Sequence, residues 1–158
     1  HSMALFKIGH KGIGSTWGRF NDISGTFALN ELGDLTAISA DIGATSVDTN
    51  VSRRDNDIRG TSFLNTARFP KATFRSASIE AVGDRVYRVT GQFTLLGVTK
   101  PLTVEIKIIG EAQSTDAAFA GGETTFSINR SDFGMNQLLN VASDEVQLVF
   151  AFEGGRPL

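Results

Sequence analysis

Residues 91–108 read GQFTLLGVTKPLTVEIKI. After Pro101, the residues Leu102, Val104, Ile106 and Ile108 are apolar while Thr103, Glu105 and Lys107 between them are polar. A period of two marks a strand with one dry face and one wet face. Just upstream, Tyr87, Val89, Gly91, Phe93 and Leu95 share one parity and Arg88, Thr90, Gln92 and Thr94 the other, so a second strand leads into a turn at Gly97. The two form an antiparallel hairpin. Pro101 has no amide hydrogen for a ladder and belongs at a strand start or bulge, which leaves Thr99 and Lys100 in the turn region.

The same alternation extends in both directions. Met3 to His10 is a strand with Ala4, Phe6, Ile8 and His10 on one face. Thr16 to Leu29 reads as one long bent strand, with Trp17, Ile23, Phe27 and Leu29 on one parity and glycines 18 and 25 as candidate kinks. Leu32-Gly33-Asp34-Leu35 and Val82-Gly83-Asp84-Arg85 have the form of two-residue hairpin loops with Gly first. Strands are expected over residues 36–47, 71–80, 124–128 and 146–153. Residues 111–122, rich in Ala, Ser, Thr and Gly, read as a mobile loop, and residues 129–140 as irregular or briefly helical. Residues 49–70 break the alternation. There Asn50 and Ser52 are candidate caps for a turn or two of helix before Gly60, and Phe63, Leu64, Phe69 and Pro70 are apolar enough to fold the excursion back as a lid or end plug. About eight antiparallel strands make an all-β chain, either a sandwich or a barrel, and closure into a barrel removes the edges that invite aggregation.

The 158 residues, 41% apolar and 20% charged, suit one domain spanning 1–158. Fifteen basic residues scattered among seventeen acidic ones provide no field for a phosphate backbone, so nucleic acid is not an expected partner. No apolar run is long enough to span a bilayer. With no cysteine, neither disulfides nor thiolate chemistry are available. Twelve Phe against one Tyr and one Trp give aromatic surface that asks for almost no hydrogen bonds, which suits a dry interior. The chain opens on His1, and the expectation is a removed targeting segment or a piece of a longer protein.

A family resemblance spans nearly the whole chain. Arg54-Asp55, Ile58-Arg59, Phe63, Phe69-Pro70 and Phe74-Arg75-Ser76 resemble the RDxHLRSxDFFDxxxYPxxxFxS pattern of the YceI-like, polyisoprenoid-binding proteins of bacteria. Gly91 to Pro101 is similar to that family's GxLTLxGVTKP, and Arg130-Ser131-Asp132-Phe133-Gly134 to its RxDFG. His1-Ser2, Phe6, His10, Gly18-Arg19-Phe20 and Ser24-Gly25 resemble its opening segments. The chain departs from the pattern at Asp57, Gly60, Leu64-Asn65 and Phe69, and lacks the short YxID strand that usually precedes the HS. The resemblance implies an eight-stranded antiparallel lipocalin-like barrel with a short helical excursion, no catalysis and no cofactor. It also implies a long-chain amphiphilic lipid (polyisoprenoid, prenyl quinone or fatty acyl derivative) as partner; since many members of the family are exported and others lack a signal, a periplasmic or secreted location is expected with a cytoplasmic one as the alternative.

On that reading Phe6, Phe27, Phe74, Tyr87, Phe93, Leu95, Ile106, Phe126, Leu148 and Phe150 point into the barrel, as tail contacts or as ordinary core. His10 is a candidate for the mouth, where it would bond a polar head, or else a plain surface histidine. Arg54 and Arg59 could clamp a phosphate, although with Asp55 between them they could equally pin the excursion to the barrel. Two other classes stay open: a structural or stress-related interaction module with a filled core, and a hydrolase. The hydrolase lacks a Gly-x-Ser-x-Gly elbow, an HExxH pair and a phosphate loop. A homodimer through an exposed strand or loop face is also compatible with the sequence.

Overall fold

The computed structural model describes residues 1–158. Its strands are β1 (Met3–His10), β2 (Gly14–Phe20), β3 (Ile23–Leu29), β4 (Leu35–Gly43), β5 (Val47–Asp48), β6 (Lys71–Gly83), β7 (Val86–Leu95), β8 (Val98–Gln113), β9 (Ala117–Asn129) and β10 (Ala142–Pro157). One helix, α1 (Ser52–Arg59), and two 3₁₀ turns (Ala44–Ser46 and Arg130–Phe133) complete the elements. Every strand pair is antiparallel, in the order β3-β4-β6-β7-β8-β9-β10-β1-β2-β5. The sheet curls into a half-barrel of the lipocalin-like kind. No helix is long and apolar enough to cross a membrane.

There are ten strands where the alternation suggested eight, because two expected strands are each divided. The bent strand over residues 16–29 turns a corner at Asn21-Asp22, where the Asn21 amide donates to the Ser46 carbonyl and the Asp22 amide to Ser46 Oγ. Its first half pairs with β1 and its second with β4, at opposite sides of the sheet order. The corner also reverses parity. Phe20 and Gly18 face inward in β2, so Trp17 lies outside, 52% exposed, with Lys7 Nζ 5.5 Å from its ring. The strand expected over residues 36–47 is likewise divided by the turn at Ala44–Ser46 into β4 and β5.

The central hairpin turns through Leu96 and Gly97, both at positive φ (52° and 72°), which is the type I′ signature. Thr99 and Lys100 therefore lie in β8, opposite Thr94 and Phe93, and not in the turn. Over residues 98–106 β8 has a ladder to β7 alone, since its pairing with β9 runs from Lys107 to Gln113. Pro101 sits in that stretch, where one side of the strand asks for no amide hydrogen.

The other two hairpins also differ from the expected form. Asn30 closes the β3–β4 loop, its Oδ1 accepting from the amides of Leu32 and Asp34 at 2.9 Å, and Gly33 (φ 82°) follows as the left-handed residue. In the β6–β7 turn Asp84 and Arg85 are the central pair. Residues 111–122 form no loose loop. They are the β8–β9 hairpin, whose small residues leave room for large neighbours: a Cβ on Gly122 would lie 2.6 Å from the Phe152 ring.

Residues 49–70 do fold back. α1 starts after Val51 with no side-chain cap, so neither Asn50 nor Ser52 plays that part. Leu64 is buried with Phe6, Ala44, Val47, Met135 and Leu148, and Ile58 and Phe63 pack against them. This cluster fills one end of the half-barrel.

Candidate functional site

Away from that filled end the inner face of the sheet encloses a cavity of about 590 Å³, nineteen of whose thirty-two lining residues are hydrophobic. Period-two alternation supplies its walls. Phe74 on β6 stands opposite Phe93 on β7, while β8 contributes Leu102, Val104 and Ile106. Phe126 on β9 and Phe150 on β10 lie nearly parallel, with centroids 5.8 Å apart. Phe27 crosses from the unpaired edge of β3 to meet Phe152, 5.1 Å between rings, and the missing side chain of Gly154 makes room for it. Phe133, buried and not itself a lining residue, supports Phe93 edge-on from its 3₁₀ turn at 5.4 Å. Such a surface gains by covering apolar chain and has little to offer a polar substrate.

Six of the residues expected inside line this cavity: Phe27, Phe74, Phe93, Ile106, Phe126 and Phe150. The others lie elsewhere. Phe6 and Leu148 belong to the cluster that fills the closed end, and Leu95 packs against it. Tyr87 is buried among Leu35, Val89, Val104, Ile106 and Ile108, its hydroxyl donating to Asp34 Oδ1 at 3.1 Å. Burial, reinforced by that bond, pushes its phenol above the ordinary value. His10 is exposed where β1 ends, beside the β1–β2 hairpin.

Neither Arg54 nor Arg59 reaches the cavity. Arg54 donates from Nε to Thr49 Oγ1 and from Nη2 to the Thr49 carbonyl, both at 2.8 Å. Arg59 donates to the carbonyls of Thr45 (2.7 Å) and Val47 (2.8 Å). Asp55, buried, accepts from the Thr49 amide and hydroxyl. These bonds tie α1 to the segment before it.

Several lining residues escaped the sequence reading although their own strands pointed to them. Leu102 and Val104 share the parity of Ile106, and Phe152 that of Phe150; Arg156 has the same parity but lies past residue 153, where the expected strand ended and β10 runs on to Pro157. Ile23 likewise shares the parity of Phe27, whereas Ile38 and Ile42 required knowledge of which face of β4 turns inward. Arg130 was legible only as part of a motif. It is 1% exposed and donates to four carbonyls, those of Met135, Gln137, Ala142 and Ser143, at 2.8–2.9 Å, so it holds the whole β9–β10 connection.

Comparison with known proteins places this architecture. The YceI-like domain family matches residues 1–154. Protein YceI of Escherichia coli O157:H7 is 40% identical over 156 residues, covering 98% of this chain and 81% of that protein. A UPF0312 protein of Yersinia pestis (strain Pestoides F) matches with the same identity and coverage. Among solved structures, BcnA of Burkholderia cenocepacia superposes with a TM-score of 0.85 at 22% identity, over 97% of this chain and 96% of its own. A polyisoprenoid binding domain from Saccharophagus degradans superposes with a TM-score of 0.72 at 18% identity, over 99% and 94%. At such identities the structures show a shared fold, whereas the family match and the 40% relatives extend over nearly the whole chain, which therefore belongs to the YceI-like family.

Proposed function

We propose that this protein binds, without catalysis, a long-chain amphiphilic lipid such as a polyisoprenoid, a prenyl quinone or a fatty acyl derivative. The tail lies in the cavity between β3 and β10. The observation that carries this reading is the continuous aromatic cavity of about 590 Å³, within the range of roughly 300–1,000 Å³ usual for ligand sites. A filled-core module would instead leave no such space between the inner faces of the strands. The Saccharophagus degradans neighbour, described as a polyisoprenoid binding domain, supports the same class of partner.

The energetics favour long tails. Each buried methylene contributes about 0.8 kcal/mol, and association costs an estimated 4–15 kcal/mol. A chain burying about ten methylene equivalents gains roughly 8 kcal/mol, so short lipids bind weakly. Native mass spectrometry of the purified protein, followed by organic extraction, tests the proposal: a stoichiometric long-chain species is expected. A protein that flies bare and takes up no added prenyl lipid would return the filled-core module to first place.

A further inference from the structure

The cavity has one charged lining residue with no partner. Asp41 is held by Arg75 and Lys71, Glu111 by Arg85 at 3.0 Å, and Glu153 by the His1 imidazole at 2.7 Å. Arg156 makes no ion pair and no side-chain hydrogen bond, yet it lines the cavity. It shares the parity of Phe150 and Phe152, so it continues their inner row to the rim, and its cross-strand neighbour is Ala118, too small to cover it. The candidate anion clamp of the sequence, Arg54 and Arg59, is spent on backbone carbonyls at the filled end. Arg156 also lies past residue 154, where the family match stops.

We propose that Arg156 reads the head group: the lipid enters tail first toward Phe93 and leaves an oxyanion, phosphate or carboxylate, at the rim against this guanidinium. The inference rests on the lipid-binding function proposed above and specifies its ligand. A guanidinium presents a planar fork of donors that matches the oxygens of either anion. Asp41 and Glu111 do not cancel it, because each is paired with a cation of its own, while Glu153, hydrogen-bonded by the His1 imidazole, keeps its negative charge and lies on the opposite parity of β10. The exposure of Arg156 lets the head stay partly hydrated, so the contribution is to selectivity more than to total affinity.

The test compares geranylgeranyl phosphate with geranylgeraniol by titration into the native protein and into Arg156→Gln and Arg156→Glu, with palmitate as the carboxylate arm and inorganic phosphate as the tail-free arm. The native protein is expected to prefer the phosphate over the alcohol by roughly three- to tenfold, as an exposed charge-assisted bond allows. Arg156→Gln removes that preference and Arg156→Glu reverses it, each read as the ratio of the two affinities within one variant, and an unchanged circular dichroism spectrum and urea midpoint show that both variants fold. Inorganic phosphate alone should not compete. An unchanged phosphate preference in Arg156→Gln, or none in the native protein while the alcohol binds, overturns the head-group assignment and leaves lipid binding standing. Failure of the native protein to bind any of the three lipids overturns both.

Discussion

Arg130 carries the largest single commitment in the molecule. Burial pulls its guanidinium below the ordinary arginine value, with the Asp144 carboxylate opposing that shift. Four carbonyls of the β9–β10 connection depend on it, and a lysine cannot reproduce the fork. Arg130→Lys and Arg130→Met are expected to cost on the order of 3 kcal/mol or more, read as a lower urea midpoint with little change in slope. Beside it, Ser131 donates to Asp144 from Oγ at 2.7 Å and from its amide at 2.8 Å, and these bonds lower the Asp144 pKa. A depressed carboxylate contributes stability above its unfolded value of 3.8 and loses it as pH falls through the native value. The stability gap between native protein and Ser131→Ala should therefore narrow from roughly pH 6 to about pH 2. A gap independent of pH would show that Asp144 does not mediate it.

At the level of elements, Phe6 on β1 lays its ring over its β2 partner Gly18, which has no side chain to obstruct it. A Cβ there would lie 2.3 Å from Phe6 Cζ and 2.9 Å from the methyl of Thr49. Gly18→Ala is expected to destabilise by about 1–3 kcal/mol through overpacking. Phe6→Leu should recover part of that loss in the double variant, since the two residues share one space. A purely additive double variant would place the strain elsewhere, against Thr49 or in the backbone. The same cluster joins the excursion to the barrel: Leu64 seals against Phe6 and Leu148, while Arg54, Asp55 and Arg59 hold α1 by backbone and hydroxyl contacts. Hydrophobic contact supplies the driving force there and the polar contacts set the orientation.

For the whole molecule, one end filled and the interior open gives a cavity of finite depth. Affinity for a homologous series of prenyl lipids should rise with chain length while the tail still finds Phe93, Phe126 and Phe150, and then level off once the cavity is full. Competition with a fluorescent lipid measures this. A flat dependence on length would move the binding site out of the barrel. Phe27 and Phe152 meet across the unpaired edge of β3, and both line the cavity.

Sequence alone carried the all-β class, the central hairpin, the inward parity of β6 to β10 and the return of residues 49–70 to the barrel. All of these follow from local rules: alternation of period two, the punctuation of glycine and proline, and the need of apolar side chains to leave water. It also carried six of the cavity's aromatic and aliphatic residues, because parity within one strand is a local property. Tertiary structure decided the rest. The corner at Asn21-Asp22 depends on Ser46, more than twenty residues away, so no local pattern could show that parity reverses there and turns Trp17 outward. Nor could parity distinguish Phe6 and Leu148, sealed by Leu64, from Phe126 and Phe150, which pack against that cluster and also border the cavity, since all four are inward-facing residues of one sheet. Whether an inward side chain meets a neighbour or a void depends on what the chain brings to it from a distance.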